Sequence, residues 1–242
     1  MYNIAIKKYL EDHGFEAFCP KAVLFDMDGV LYDSMPNHAI AWQESMARCG
    51  LQMTADDAYA TEGARGVDTI REMVRRQQNR DIDEAEAQRM YDVKTEVFHS
   101  LPEAPIMPGI LSLMAKIQSD GLKIGIVTGS GQRPLINRLT TDFHPFITED
   151  HITTAYDVQR GKPAPDPYLA GMKKCGTEPW ETIVVENAPL GIQAGVAAQC
   201  FTIGVNTGPL PDELLWQAGA DLVIPSMTAL CEIVECGVRS VE

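Results

Sequence analysis

The spacing of apolar positions divides the chain into two kinds of segment. Short apolar runs recur at residues 21–25, 122–127, 182–185, 200–205 and 221–224, with a shorter one near Ile152-Thr153. Runs of four to six apolar and β-branched residues bounded by turn residues predict buried strands. Between them lie stretches of helical period at 109–119, 131–140, 166–175, 189–198, 211–217 and 226–236. Repeated helix–strand alternation predicts an α/β fold with a doubly wound parallel sheet, a Rossmann-like core, and the run before Asp26 must join that same sheet.

Between Ser34 and Leu101 no strand pattern appears. Ser34 suits a helix N-cap and Pro36 its first turn. Ala39, Trp42, Met46 and Cys49 share one helical face, and Gly50 can end that helix. Segments 55–60, 66–78 and 83–99 continue as charge-rich helices, and Pro102, Pro105 and Pro108 then break the chain. The expected organisation is a core of residues 20–33 and 108–242, an all-helical cap of 34–107 inserted over one sheet edge, and an extension of 1–19. The extension is expected to hold one or two helical turns, with no function assigned.

Charge narrows the partners. The chain has 242 residues, 45% hydrophobic, with a formal charge of -14 and a pI near 4.7. A nucleic-acid binder needs a basic face, so that partner is not expected. No apolar run reaches about 18 residues, so no membrane partner is expected either. The N-terminus lacks a signal pattern, since Lys7 and Lys8 interrupt the apolar stretch. Six scattered cysteines without a CxxC pair (Cys19, Cys49, Cys175, Cys200, Cys231, Cys236) suggest buried thiols in a reducing cytoplasm. The sequence is silent on oligomeric state, a monomer included.

Candidate chemistry gathers where predicted strands end. Residues 21–25 deliver Asp26, Asp28 and Gly29 to the carboxyl edge of the sheet, where open α/β sheets bind ligands. Two acids one residue apart can divide labour as nucleophile or metal ligand and as acid/base. Val127 leads into Thr128-Gly129-Ser130-Gly131, a hydroxyl and a glycine turn whose N–H groups suit phosphate oxygens. Its spacing is not that of a Walker loop. Lys162 is held between Gly161 and a proline run. A further strand ends in Glu186-Asn187, whose oxygens suit Mg²⁺. The DxDG segment is not an EF-hand, because Gly29 stands at loop position four rather than six.

In this order these segments resemble the four motifs of the haloacid dehalogenase superfamily, over the chain from about Lys21 onward. A helical insertion directly after the first motif is similar to the β-phosphoglucomutase-like branch. The resemblance implies that Asp26 is a nucleophile forming an aspartyl phosphate and Asp28 the acid/base. It implies that Thr128, with the Gly129 backbone and Ser130, binds phosphate and that Lys162 neutralises charge. Glu186 and Asn187 would hold Mg²⁺ with Asp26 and the Asp28 backbone carbonyl. Attack by one anion on another needs those cations. Asp28 is expected to start protonated, its pKa raised by a crowded acidic site.

Asn187 departs from the family, which usually has Asp there. Glu62, in the loop between the first cap helices, is expected to dip toward the site and restore the lost charge, or to face a sugar hydroxyl. Were it to reach the metal, it would shrink the pocket and exclude a hexose. Within the branch this pair resembles members that hydrolyse inorganic pyrophosphate, so a small phosphorylated substrate is expected, with pyrophosphate favoured. His38, near the hinge, is a candidate to steady Asp28 or touch substrate. Arg65, with Arg71, Arg75 and Arg76, is a candidate for a second phosphate or a solvated helix face. The alternatives are a phosphosugar mutase of the β-phosphoglucomutase type and a non-catalytic phosphate-binding protein.

Overall fold

The computed structural model describes residues 2–130 and 133–235. Gly131, where the glycine turn and a helix were expected to meet, and Cys236, at the expected end of the last helix, lie outside the described residues. Six strands form one parallel sheet: β1 (Ala22–Phe25), β2 (Lys123–Val127), β3 (Ile152–Thr153), β4 (Thr182–Glu186), β5 (Phe201–Val205) and β6 (Leu222–Ile224). Their order is β3-β2-β1-β4-β5-β6, so β1 is central, and the order reverses beside it. Phe25 lies opposite both Ile126 and Val185. One step further along the register, Asp26, Val127 and Glu186 therefore reach the same edge, at the switch point where such sheets bind ligands.

Strand pleating sorts the side chains of β1. Val23 and Phe25 enter one apolar cluster with α6 (Ile110–Ser119) and α11 (Met227–Glu235), while Ala22 and Leu24 enter another with α8 (Asp166–Cys175) and α9 (Pro189–Ala197). Burial on both faces explains the continuous apolar run, each large side chain contributing about 1.5–3 kcal/mol. α7 (Arg133–Asp142) and α10 (Asp212–Gln217) complete the core.

The N-terminal extension is larger than expected. α1 (Tyr2–His13) runs three turns and belongs to the main core, with Ile6 and Tyr9 fully buried. The Tyr9 hydroxyl donates to the Gln199 carbonyl at 2.8 Å, and its ring stands edge-on to Phe201 and Phe18.

The cap helices α2 (Met35–Arg48), α3 (Ala55–Ala60), α4 (Gly66–Gln78) and α5 (Glu84–Ser100) bury their own cluster, including Trp42, Met46, Leu51, Ile70, Met73 and Val74. The two crossings between core and cap lie side by side: Met107 N donates to Leu31 O at 2.8 Å and Asp33 N to Pro105 O at 2.9 Å. Ser34 does not cap α2 through its side chain as expected, because its hydroxyl is committed to Asp28. Among the described residues no helix is long and apolar enough to cross a membrane. Of the cysteines, Cys175 and Cys200 are buried as expected, whereas Cys19 and Cys49 are only half-buried.

Candidate active site

Asp26 leaves the central strand almost fully buried, its side chain 9% exposed, and its Oδ1 accepts from the Lys162 ammonium. Lys162 also donates to the Val127 carbonyl at 3.2 Å and to Glu186 Oε1 at 2.6 Å. Burial works against the Lys162 charge, but contact with Asp26 and Glu186 outweighs it and keeps the lysine protonated. Burial, reinforced by the Glu186 and Asp28 charges, pushes the Asp26 carboxyl up to about 7 against the pull of Lys162.

Glu186, expected as a metal ligand, has protein partners on both carboxylate oxygens. Its Oε1 accepts from Lys162 and from the Tyr168 hydroxyl at 2.7 Å, and its Oε2 from the N–H groups of Asn187 and Ala188 at 3.1 and 3.4 Å. Both oxygens therefore anchor Lys162 and the start of α9. Gly191 is needed for this, since a Cβ there would meet the Glu186 carboxylate within 2.4 Å.

Asp28 sits in a different network. Its Oδ1 accepts from Ser34 Oγ at 2.6 Å and lies 3.2 Å from His38 Nε2. His38 Nδ1 is 2.9 Å from Lys94 Nζ, which lies buried over the rings of Phe98, Trp42 and Tyr91. A donating lysine at Nδ1 places the His38 proton on Nε2, aimed at Asp28. Burial raises the Asp28 carboxyl, but His38, Ser34 and Lys94 together hold it down at about 2. The expectation of a raised Asp28 is thus corrected, because its nearest partners are cationic or donating rather than acidic. Burial lowers Lys94 to about 8.

Thr128 is buried, and its Oγ accepts from Ser130 N at 3.1 Å, leaving the hydroxyl proton to donate elsewhere. Gly129 and Ser130 line the cleft. Glu62 reaches down from the cap, and both its oxygens accept from Asn187 Nδ2, at 2.9 and 3.0 Å. Burial and the nearby Asp26 charge push the Glu62 carboxyl well above the usual range despite that bond. Arg65 does not line the cleft. It pairs with Asp68 at 2.7 Å, its stem packed over Gly161. Arg71, Arg75 and Arg76 are likewise paired with Glu84, Asp81 and Asp57.

The donor set fits a hard divalent cation. Asn187 Oδ1 is buried with no hydrogen-bond partner, an oxygen left for a ligand. Asn187 Nδ2 also lies where a Cβ on Gly29 would stand, so only glycine admits the turn this close. Among the described residues no cluster of three or more His, Cys, Asp or Glu side chains could cage a metal by itself. The oxygens at hand, Asn187 Oδ1 and the Asp26 carboxylate, are of the kind Mg²⁺ takes together with carbonyl, water and phosphate oxygens.

Core and cap enclose a cavity of about 520 Å³ lined by Asp26, Asp28, His38, Trp42, Glu62 and Lys94 among others. Sequence reasoning missed Lys94 and Tyr168. Lys94 had a signal, a lysine on the helical face shared by Tyr91 and Phe98, whereas nothing in the chain pairs Tyr168 with Glu186.

The family pattern of haloacid dehalogenase-like hydrolases matches residues 20–199. Hexitol phosphatase A of Escherichia coli is 33% identical over 77% of this chain and 83% of its own length. The β-phosphoglucomutase of Bacillus subtilis is 28% identical over 84% of this chain and 88% of its own. The structure of a β-phosphoglucomutase candidate from Bacteroides vulgatus is 48% identical, with a TM-score of 0.92 over 96% of this chain and 94% of that one. A pair of carboxylates carried by the central strand, a buried lysine held by two carboxylates and a helical cap over both thus occur in a chain matched by that pattern across most of its length: it belongs to the haloacid dehalogenase-like hydrolases, in their β-phosphoglucomutase-like branch.

Proposed function

We propose that this enzyme is a Mg²⁺-dependent phosphohydrolase working through an aspartyl phosphate, with inorganic pyrophosphate as the favoured substrate. The observation that carries the substrate assignment is the Glu62 carboxylate, which descends from the cap onto Asn187. A carboxylate there repels a bare phosphate unless a cation stands between them. Mg²⁺ bound beside it would draw the raised Glu62 carboxyl into its ionised form, which then returns to the site the charge that Asn187 removes.

Asp26 attacks the phosphorus, with Lys162 cancelling repulsion between the two anions. Thr128, Gly129 and Ser130 receive the phosphoryl oxygens. Asp26, the Asp28 backbone carbonyl and Asn187 Oδ1 would hold Mg²⁺, with Glu62 beside them. The ion would supply electrostatic stabilisation of the transferring group. Asp28, oriented by Ser34 and His38, then takes the proton of the water that cleaves the aspartyl phosphate. An Asp28 held ionised suits a phosphate leaving group, which departs as a stable anion, better than a sugar alkoxide, which needs a proton.

A phosphosugar is the second reading, as phosphatase or mutase substrate. The cavity of about 520 Å³ has room for a hexose, and the relatives include a hexitol phosphatase and a β-phosphoglucomutase. The deciding experiment is phosphate release with Mg²⁺ from pyrophosphate against hexose and hexitol phosphates. A kcat/KM for pyrophosphate at least about tenfold above every sugar phosphate is expected. The reverse order transfers the assignment to a phosphosugar, and a bisphosphate-dependent isomerisation assay then separates mutase from phosphatase.

A further inference from the structure

The cap meets the core at a second place, where none of the four motifs falls. The loop after β5, residues 206–210, is braced internally: Asn206 N donates to Ile224 O at 2.8 Å, and Asn206 Nδ2 to Leu210 O at 2.8 Å and Asp212 Oδ1 at 2.5 Å. Two consecutive residues of this rigid loop face different parts of the site. The Thr207 hydroxyl donates to the Gly29 carbonyl at 2.6 Å. Gly208 lies beneath the Tyr59 ring of α3, where a Cβ would stand 3.2 Å from both Cδ1 and Cε1.

Each contact is one step from the chemistry. Gly29 follows Asp28 directly and adopts a φ of +77°. A Cβ on it would collide with Asn187 and stand 3.2 Å from Glu62 Oε1. Tyr59 precedes Glu62 by three residues, and its carbonyl accepts from Glu62 N at 3.4 Å. One loop therefore holds the nucleophile turn with a threonine and carries the cap with a glycine. A β-branched hydroxyl residue suits the first task because its χ1 is restricted. For the second, a Cβ would push the ring of Tyr59 back by a few tenths of an ångström, whereas glycine lets it rest on the backbone.

We propose that Thr207 and Gly208 are positioning residues that couple cap seating to the Asp26–Asp28 turn, so that Glu62 arrives over Asn187 only when the turn is held at Gly29. The kinetic consequence rests on the phosphohydrolase reading of this site; the mechanical one does not.

The test has two arms, both on the full chain. The first is hydrogen exchange of the substrate-free protein, followed at amides 27–32 and 58–66. Thr207→Val and Gly208→Val are each expected to speed exchange about tenfold in both segments, and Thr207→Ser to leave it at the wild-type rate. Acceleration confined to the segment each residue touches overturns the coupling. Should Gly208→Val fail to fold, Tyr59→Ala removes the same contact from the cap side. The second arm is phosphate release with Mg²⁺ from pyrophosphate and hexose phosphates. Thr207→Val and Tyr59→Ala should each lower kcat/KM about tenfold, the double variant no further, and Thr207→Ser should restore it. Additive losses overturn the proposal. A wild-type protein that releases phosphate from none of these substrates refutes the functional reading alone, and the exchange arm then decides the coupling by itself.

Discussion

At the scale of single residues the site works by holding charges in fixed company. Asp26 and Glu186 share one buried lysine, while Asp28 is tied to a histidine backed by another. Asp26→Asn should lower turnover by about a thousandfold or more with the fold intact, since it keeps the side-chain shape but removes the nucleophile. Phosphate-release kinetics check it, and retained turnover would sink the assignment. Glu62→Gln keeps the length of the side chain and removes its charge. It should lower the kcat/KM ratio of pyrophosphate to hexose phosphate by about tenfold or more, measured as that ratio in parallel assays. Lys94→Met keeps the packing against Trp42, Tyr91 and Phe98 but leaves His38 Nδ1 without its donor. Turnover should fall about 10- to 100-fold while the unfolding midpoint stays or rises, because a buried cation is removed. The placement of Asp26, Thr128 and Lys162 at one sheet edge was legible because each stands at a strand end or in a turn of distinctive composition. The true surroundings of Asp28 were not, since Ser34, His38 and Lys94 come from two cap helices and a hinge that only folding brings beside it.

At the scale of elements, period and length identified the helices and strands within a residue or two. The pattern holds wherever one face is buried: α8 runs from 166 to 175 and α4 from 66 to 78, as their apolar spacing predicts. The N-terminal helix is the exception. Half of its twelve residues are apolar, but Lys7 and Lys8 interrupt them, and only the structure shows Tyr9 and Ile6 fully buried against Phe18 and Phe201. Tyr9→Ala should therefore destabilise the protein by about 3–5 kcal/mol, read from the shift of the urea midpoint at constant slope. A change under about 1 kcal/mol would return α1 to the status of a loose extension.

The whole molecule carries a formal charge of -14, and some of its acids are held in unfavourable places. Burial raises Asp221 to about 6, against the opposing hydrogen bond from Thr202 N at 2.7 Å. An acid whose folded pKa exceeds its unfolded value, about 3.9, binds more protons folded than unfolded between the two. Its contribution to stability thus falls as pH rises from about 4 to 6 and stays low above that. Asp221→Asn retains an acceptor for Thr202 and should gain about 1–3 kcal/mol at pH 7 but nothing near pH 4. Urea midpoints of both proteins across that range check the sign. At this scale the sequence by itself determined the parallel core, the inserted helical cap and the three strand ends and one lysine loop that meet at the cleft, because periodicity and turn composition are local properties. Only the tertiary structure decided that Glu186 accepts from Lys162, that Asp28 sits against Ser34 and His38, that Arg65 turns away from the cleft and that Glu62 lands on Asn187. Those outcomes depend on which side chains from distant segments win the same few buried hydrogen bonds, a competition that no stretch of sequence contains.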